Sequence, residues 1–314
     1  MGPSHMAAAS RRHSSAIGLL VWHDACVLKS PAPPSQIDAL TELLGSSRRD
    51  FVPIRKHFVQ LRDDEENPLP GPLAKVVRRG VPTALDQLLL LHARAAGRPD
   101  GEELNYDVGL SARVWARLLG LAEDESGRRT VGRNWKALTD AKLVAVRRVG
   151  RQITATPLCE DGSGEPYSHP KNTGDRYLKV PYAFWLDGHA AKLKLPGLAL
   201  ALIACSNADW FPLPFDRGPS WYGVGTSTVE RGIRELRRAG LIENRFFWRK
   251  TALSATGWTK ETRYCLRLPL GPVGVAAKGT PPKLLSRSAR PSPPSQADSE
   301  PETSPTPHAS GDAR

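Results

Sequence analysis

The sequence predicts a mainly helical α+β protein with small β-hairpins, built as two tandem copies of one unit and followed by a disordered tail. Three observations predict it. A diverged repeat relates two stretches of the chain at an offset of 98 residues, Thr130 standing against Thr228. Each copy closes on a run in which apolar and polar residues alternate, the period of a half-buried strand. Between the copies, residues 161–176 are rich in Gly, Pro and Ser and read as a linker.

The N-terminal elements come first. Met1 to Met6 reads as an expression scar and is set aside. Residues 7–49 read as a partly ordered extension. The apolar run from Ile17 to Trp22 is too short to span a bilayer and meets His23 and Asp24, so no membrane partner is expected. A short helix is expected over residues 36–44. The first copy takes residues 50–160 and the second residues 177–270.

The copies open alike, with an extended segment carrying Val52-Pro53 or Val180-Pro181 and an aromatic residue after it. An apolar helix follows each opening, over residues 84–96 and 198–208. After a loop and a short helix, a third helix starts near Thr130-Val131 and near Thr228-Val229. At the common offset Arg133 aligns with Arg231, Trp135 with Ile233, Leu138 with Leu236, Ala141 with Ala239 and Leu143 with Leu241. The alternating runs come next. Residues 143–148 turn at 149–151 into 152–157; residues 241–250 return through a loop at 251–260 into 261–269. Helix, helix, helix, hairpin is the order of a winged helix-turn-helix domain, so two are expected in tandem. Residues 271–314 hold mostly Pro, Ser, Thr and Ala and cannot bury enough surface to offset their ordering entropy.

Charge suggests the partner. Lys and Arg number 44 against 32 acidic residues, for a net +12, and the isoelectric point is near 9.8. That is the electrostatic footprint of a nucleic-acid binder. On a helical wheel of the second copy's third helix, Val229, Ile233 and Leu236 share one face. The opposite face carries Ser227, Arg231, Arg234 and Arg238, with Thr228 at the start. Arginine forks on such a stripe reach guanine edges or phosphates in a major groove. In the first copy Val131, Trp135 and Leu138 face inward. Arg129, Arg133 and Lys136 face outward, and Asp140 stands where the third arginine would be. Glu230 and Glu235 lie at the flanks of the second stripe, placed to pair with neighbouring arginines.

The hairpins are basic too. Arg147, Arg148 and Arg151 crowd the first tip, and Arg245, Arg249, Lys250, Lys260 and Arg263 surround the second. Such contacts position a protein on DNA without specifying sequence. Trp248 and Trp258 are read as packing under the long wing or at an interface, with stacking on sugars or bases as the other reading.

Other chemistries find little footing. Cys26, Cys159, Cys205 and Cys265 form no CxxC pair and no HxxxH motif accompanies them, so free thiols, no metal and no cofactor are expected. His57 and His92 read as core-edge histidines without a neighbouring nucleophile. Residues 63–66, Asp-Asp-Glu-Glu, read as a solvated loop. Residues 223–228 lack the lysine of a phosphate cradle and read as the turn of the helix-turn-helix. A non-enzymatic protein in a reducing cytoplasm, associated with the nucleoid, is expected.

Over residues 50–270 the chain resembles the tandem winged-helix replication initiators of bacterial plasmids and phages. The resemblance rests on Val52-Pro53, Val180-Pro181 and the turn-helix-wing run from Thr226 to Ala239-Gly240-Leu241-Ile242. That last run is similar to winged-helix transcriptional regulators as well. The loop over 209–220, with Trp210-Phe211-Pro212, is longer than the family pattern. The resemblance implies sequence-specific binding of double-stranded DNA, as initiator or regulator, and leaves a homodimer on DNA open. The alternative is a winged-helix protein-interaction module in a larger complex.

Overall fold

A computed structural model describes residues 32–47, 49–96, 106–149, 152–170, 176–213 and 216–271. The readings placed on the N-terminal scar, Ile17 to Trp22, Cys26, Arg151 and the tail from residue 272 lie outside the described residues. All the helices and strands described belong to the compact unit that begins at Ser35.

Helix α1 (Gln36–Gly45) begins on a capping box. The Ser35 hydroxyl accepts from the Asp38 N–H, and the Asp38 carboxylate accepts from the Ser35 N–H. Strand β1 (Phe51–Arg55) runs into a 3-10 turn, Lys56–Phe58. Strands β2 (Gln60–Arg62) and β3 (Pro68–Pro70) then form a hairpin around the acidic run, where the Asp63 carboxylate accepts backbone N–H bonds from Glu65 and Asn67. The acidic run showed the exposed turn but not its strands. Helix α2 (Leu73–Arg79) leads into the first repeat.

The repeat is visible in the order of elements. Helix α3 (Ala84–Ala96), strand β4 (Val108–Leu110), helices α4 (Ala112–Leu118) and α5 (Glu125–Asp140), and strands β5 (Val144–Val149) and β6 (Gln152–Pro157) make the first set. Strand β7 (Tyr177–Pro181) and the single-turn helix α6 (Ala183–Leu186) separate it from the second. That set is helix α7 (Leu195–Cys205), strand β8 (Phe211–Pro212), helices α8 (Gly218–Tyr222) and α9 (Thr226–Arg238), and strands β9 (Ile242–Lys250) and β10 (Trp258–Leu266). Both sets fold into an antiparallel three-stranded sheet in which the first short strand flanks the last: β4-β6-β5 and β8-β10-β9. The architecture is therefore mixed α+β with small antiparallel sheets. Strand β8 and the start of α8 lie within residues 209–220, which the sequence presents as a loop.

The offset of 98 residues holds side chain by side chain. In α5 the residues Val131, Asn134, Trp135 and Leu138 are buried; in α9 Val229, Gly232, Ile233 and Leu236 are. Both helices end in the same turn, in which the N–H of Leu143 bonds the Leu138 carbonyl at 3.0 Å and that of Leu241 bonds Leu236 at 2.9 Å. This turn needs a left-handed residue. The second copy supplies Gly240 (φ 72°), whereas the first forces Lys142 to φ 59°.

Some boundaries differ from the sequence reading. Helix α5 starts five residues before Thr130, because Asp124 caps it by accepting from the Gly127 N–H at 3.0 Å. Helix α7 starts three residues before Leu198, with Pro196 in the first turn where its missing N–H costs nothing. Strand β10 starts at Trp258, so Lys260 lies in the strand and not in the tip loop.

The two openings, read separately, are partners. Strand β1 pairs antiparallel with β7, Val52 opposite Val180 and Ile54 opposite Leu178, all four buried. In a two-stranded antiparallel sheet every other N–H points away from the partner strand, and Pro53 and Pro181 stand at such outward positions, where proline is tolerated. Beneath them lie α3, whose Leu85 and Leu88 to Leu91 are buried, and α7, buried at every residue from 197 to 204. A helix apolar all round belongs in an interior. One apolar core runs from Leu40 to Leu270 through both repeats.

The segment read as a linker is pinned at Tyr167, while Ser163, Glu165, Pro166 and Ser168 stay exposed. Tyr167 is buried against His92, edge to face at 5.0 Å. Just before it Glu160 pairs with Arg55 of β1, both side chains buried, and the same guanidinium donates to the Ser168 carbonyl at 2.9 Å.

Candidate nucleic-acid interface

Helix α9 is held by its apolar face. A Cβ at Gly232 would lie 2.6 Å from the Pro196 carbonyl oxygen, so glycine lets α9 approach α7 closely. Glu235 does not pair with an arginine, as its flank position suggested. Its carboxylate accepts from the N–H groups of Lys194 at 2.9 Å and Gly197 at 3.1 Å, capping α7 where no local side chain does. An anion there also meets the positive end of the α7 dipole.

With that face locked, Ser227, Arg231, Arg234 and Arg238 project into solvent and Thr228 is half-buried at the start of the helix. The Arg231 guanidinium lies back along the helix, donating to the Ser227 carbonyl at 3.2 Å. Among the described residues no carboxylate comes within ion-pair distance of Arg231, Arg234 or Arg238. Arg237, which the sequence reading passed over, donates to the Asn244 side-chain oxygen at 2.8 Å and ties α9 to β9.

The first repeat exposes Arg129, Arg133 and Lys136, and carboxylates engage two of the three. Arg129 is 3.4 Å from Glu125 and Lys136 3.4 Å from Asp140, while Arg133 donates to the Thr130 hydroxyl at 3.0 Å. Asp140 belongs mainly to Arg79 of α2, at 2.6 Å. Trp135 is buried, edge to face with Trp115 at 5.1 Å.

The hairpins sort the remaining cations. Arg147 is not a free tip cation; it pairs with Asp107, whose carboxylate also holds the Thr156 hydroxyl. Arg148 is exposed on the other face of β5. In the second hairpin, Asn244, Phe246, Trp248 and Lys250 share one face with Trp258, Lys260, Thr262 and Tyr264. This is the α9 side, as the Arg237–Asn244 bond shows. The other face carries Glu243, Arg245, Phe247 and Arg249 beside Glu261 and Arg263. There Arg245 lies 4.5 Å over the Trp210 ring and Arg263 5.2 Å over Phe247, with Glu261 bonded to Arg263 at 2.7 Å. Arg245 and Arg263 are thus engaged, while Arg249 and Lys250 are exposed.

The tryptophan reading needs correction. Trp248 does not pack under the wing: it is 61% exposed, and Phe246, not singled out in the sequence, is 53% exposed. The Lys260 ammonium sits 3.7 Å from the Phe246 ring centroid. The histidines differ as well. His57 is exposed, and His92 is fully buried with neither ring nitrogen hydrogen-bonded, so burial lowers its pKa and favours the neutral ring.

Cys159, Cys205 and Cys265 are free thiols, and burial pushes Cys205 up to about 12. Among the described residues no group of three or more His, Cys, Asp or Glu side chains could hold a metal ion, and no helix is long and apolar enough to cross a membrane. A concavity of about 730 Å³ lies beside β1, β7 and the end of α7. Its two lysines are engaged, Lys56 donating to the Ser206 carbonyl at 2.6 Å and Lys179 lying 4.6 Å over the Phe51 ring. No family model, curated protein or solved structure matches the chain.

Proposed function

We propose that this protein binds double-stranded DNA through two winged-helix units in tandem, with α9 as the helix that enters the major groove. One observation carries the reading. Arg231, Arg234 and Arg238 form an exposed stripe that no carboxylate engages among the described residues, on a helix whose opposite face is clamped to α7. An unpaired guanidinium row of one sign is suited to phosphates or to the O6 and N7 acceptors of guanine. The twice-repeated order of three helices and a flanked hairpin supports the winged-helix reading.

The halves divide the work. The second reads sequence, because its arginines are free to fork onto bases. The first anchors, because Glu125, Asp140 and Asp107 already partner Arg129, Lys136 and Arg147. Exposed ion pairs are worth only about 0–1 kcal/mol, so phosphates can displace these carboxylates. Replication initiation and transcriptional regulation both use such a protein, and the number of sites bound in tandem separates them.

The test is competitive binding to a selected site and to scrambled DNA across a salt series. Arg231→Ala or Arg234→Ala is expected to cost about 1–3 kcal/mol on the selected site and less on scrambled DNA. For roughly six to ten phosphate contacts, affinity falls about 10³- to 10⁵-fold between 50 and 200 mM salt. A near-flat salt response on duplex DNA refutes the proposal and leaves the protein-interaction reading.

A further inference from the structure

The second hairpin is longer than the first and differently furnished. Strands β9 and β10 run nine residues each against six for β5 and β6, and the outer half of β9 is exposed. At its base the α9-side face is buried core, with Ile242 and Tyr264. Beyond the core the same face keeps aromatic side chains among its polar ones. It presents Phe246, Trp248 and Trp258, interleaved with Lys260 opposite Trp248 and Lys250 opposite Trp258. The first hairpin lacks this: position 148, which answers to Phe246, is an arginine.

A solvent-exposed Trp and Phe side by side forfeit a large burial, since aromatic side chains bury about 150–250 Å² each when covered. The hairpin is also stiffened from behind. On its other face Trp210 packs against Phe247 at 5.7 Å, with Arg245 stacked over Trp210. The result is a braced platform of ring faces set among ammonium groups.

We infer that this face of the β9–β10 hairpin binds single-stranded DNA, stacking unpaired bases on Trp248 and, as Lys260 swings off its ring to a phosphate, on Phe246, while Lys250 meets a neighbouring phosphate. A duplex does not offer base faces, because each is covered by its neighbours in the stack. An unpaired strand offers a ring face and an anionic phosphate at every nucleotide, matching the alternation of rings and ammonium groups. The charge argues against a protein or a second copy of this chain as the occupant. Among the described residues no carboxylate forms an ion pair with Lys250 or Lys260, and an apolar partner would have to desolvate both. The inference rests on the DNA-binding reading above but uses different side chains, so the two fail separately. Together they describe a protein that grips duplex with α9 and holds an opened strand on the adjacent hairpin.

The test uses the full chain and a fluorescein-labelled 20-nucleotide strand of mixed, non-self-complementary sequence, beside the same sequence as duplex. Wild-type protein is expected to bind the strand and to show tryptophan quenching on titration. Trp248→Ala is expected to weaken strand binding about tenfold, within the range for losing one stacked base. Phe246→Ala added to it should weaken binding further, while duplex affinity changes less than twofold. Trp248→Phe keeps most of the affinity and loses most of the quenching. Should Trp248→Ala lose its native circular dichroism, the quenching of wild type against Trp248→Phe decides. The inference is overturned if wild type ignores the strand at 50 mM salt. It also falls if Trp248→Ala weakens strand and duplex equally, or if that change dissociates a self-associated species. Strand binding that depends on Trp248 in a protein indifferent to duplex supports the inference and overturns the groove-binding proposal instead.

Discussion

Replacing Gly232 by alanine sets two effects of opposite sign against each other. Alanine favours a helix interior over glycine by about 0.8–1 kcal/mol. The new methyl, however, would stand 2.6 Å from the Pro196 carbonyl oxygen and 2.8 Å from the Leu200 Cβ. The first of these atoms is backbone and cannot rotate away. Helix α9 would have to back off α7, against the two hydrogen bonds by which Glu235 caps that helix. Overpacking of this kind typically costs about 1–3 kcal/mol. Steric cost therefore wins, and Gly232→Ala is expected to lose about 1–2 kcal/mol, a fall in Tm of about 2–8 °C. Gly132 in α5 supplies the control, because its added methyl meets nothing within 4 Å. There only the helical preference remains, and Gly132→Ala is expected to gain up to about 1 kcal/mol. Urea unfolding followed by circular dichroism measures both. A Gly232→Ala protein as stable as wild type refutes the close approach of α9 to α7. Equal losses at both positions refute the steric reasoning.

Two further changes probe buried charge. Burial raises the Asp86 carboxyl from 3.8 to about 7, against the lowering effect of the Trp185 indole N–H bonded to it at 3.3 Å. Because the folded value lies above the unfolded one, ionisation costs stability as pH rises from about 4 to 7, and the cost is constant above that. Asp86 is half-buried, so the penalty lies below the roughly 4 kcal/mol that a rise from 3.8 to about 7 implies. Asp86→Asn is expected to be more stable than wild type at pH 8 and equal to it near pH 4; parallel Tm profiles across that range refute this. Glu160→Gln removes the counter-charge of the buried Arg55 guanidinium and is expected to cost about 3 kcal/mol in urea unfolding. An apolar pair, Arg55→Met with Glu160→Leu, recovers most of that loss; a double variant less stable than the single one refutes the account.

The repeat shows what local sequence encodes. Val131, Trp135 and Leu138 in one copy and Val229, Ile233 and Leu236 in the other recur at helical spacing, and that spacing alone tells which side is inward. Once the inward face is known, the exposure of Arg231, Arg234 and Arg238 follows. Helix α1 was legible for a similar reason, its capping signal and apolar period lying within ten residues. Strands β4 and β8, three and two residues long, carry no period that could be read.

Local sequence set the long helices of the two repeats, their buried faces, the closing hairpin of each repeat and the placement of the arginine stripe, because each is set by residues within a few turns of one another. Tertiary structure alone decided which surfaces meet. It paired Val52 with Val180 across the two repeats, gave Glu235 to the N-terminus of α7, and gave Asp107 to Arg147. It also left Trp248 and Phe246 uncovered at the end of a hairpin. Period and composition say that a side chain is apolar or charged. Whether it finds a cover or a counter-charge depends on chain segments brought together from far away, and the residues around it carry no record of that.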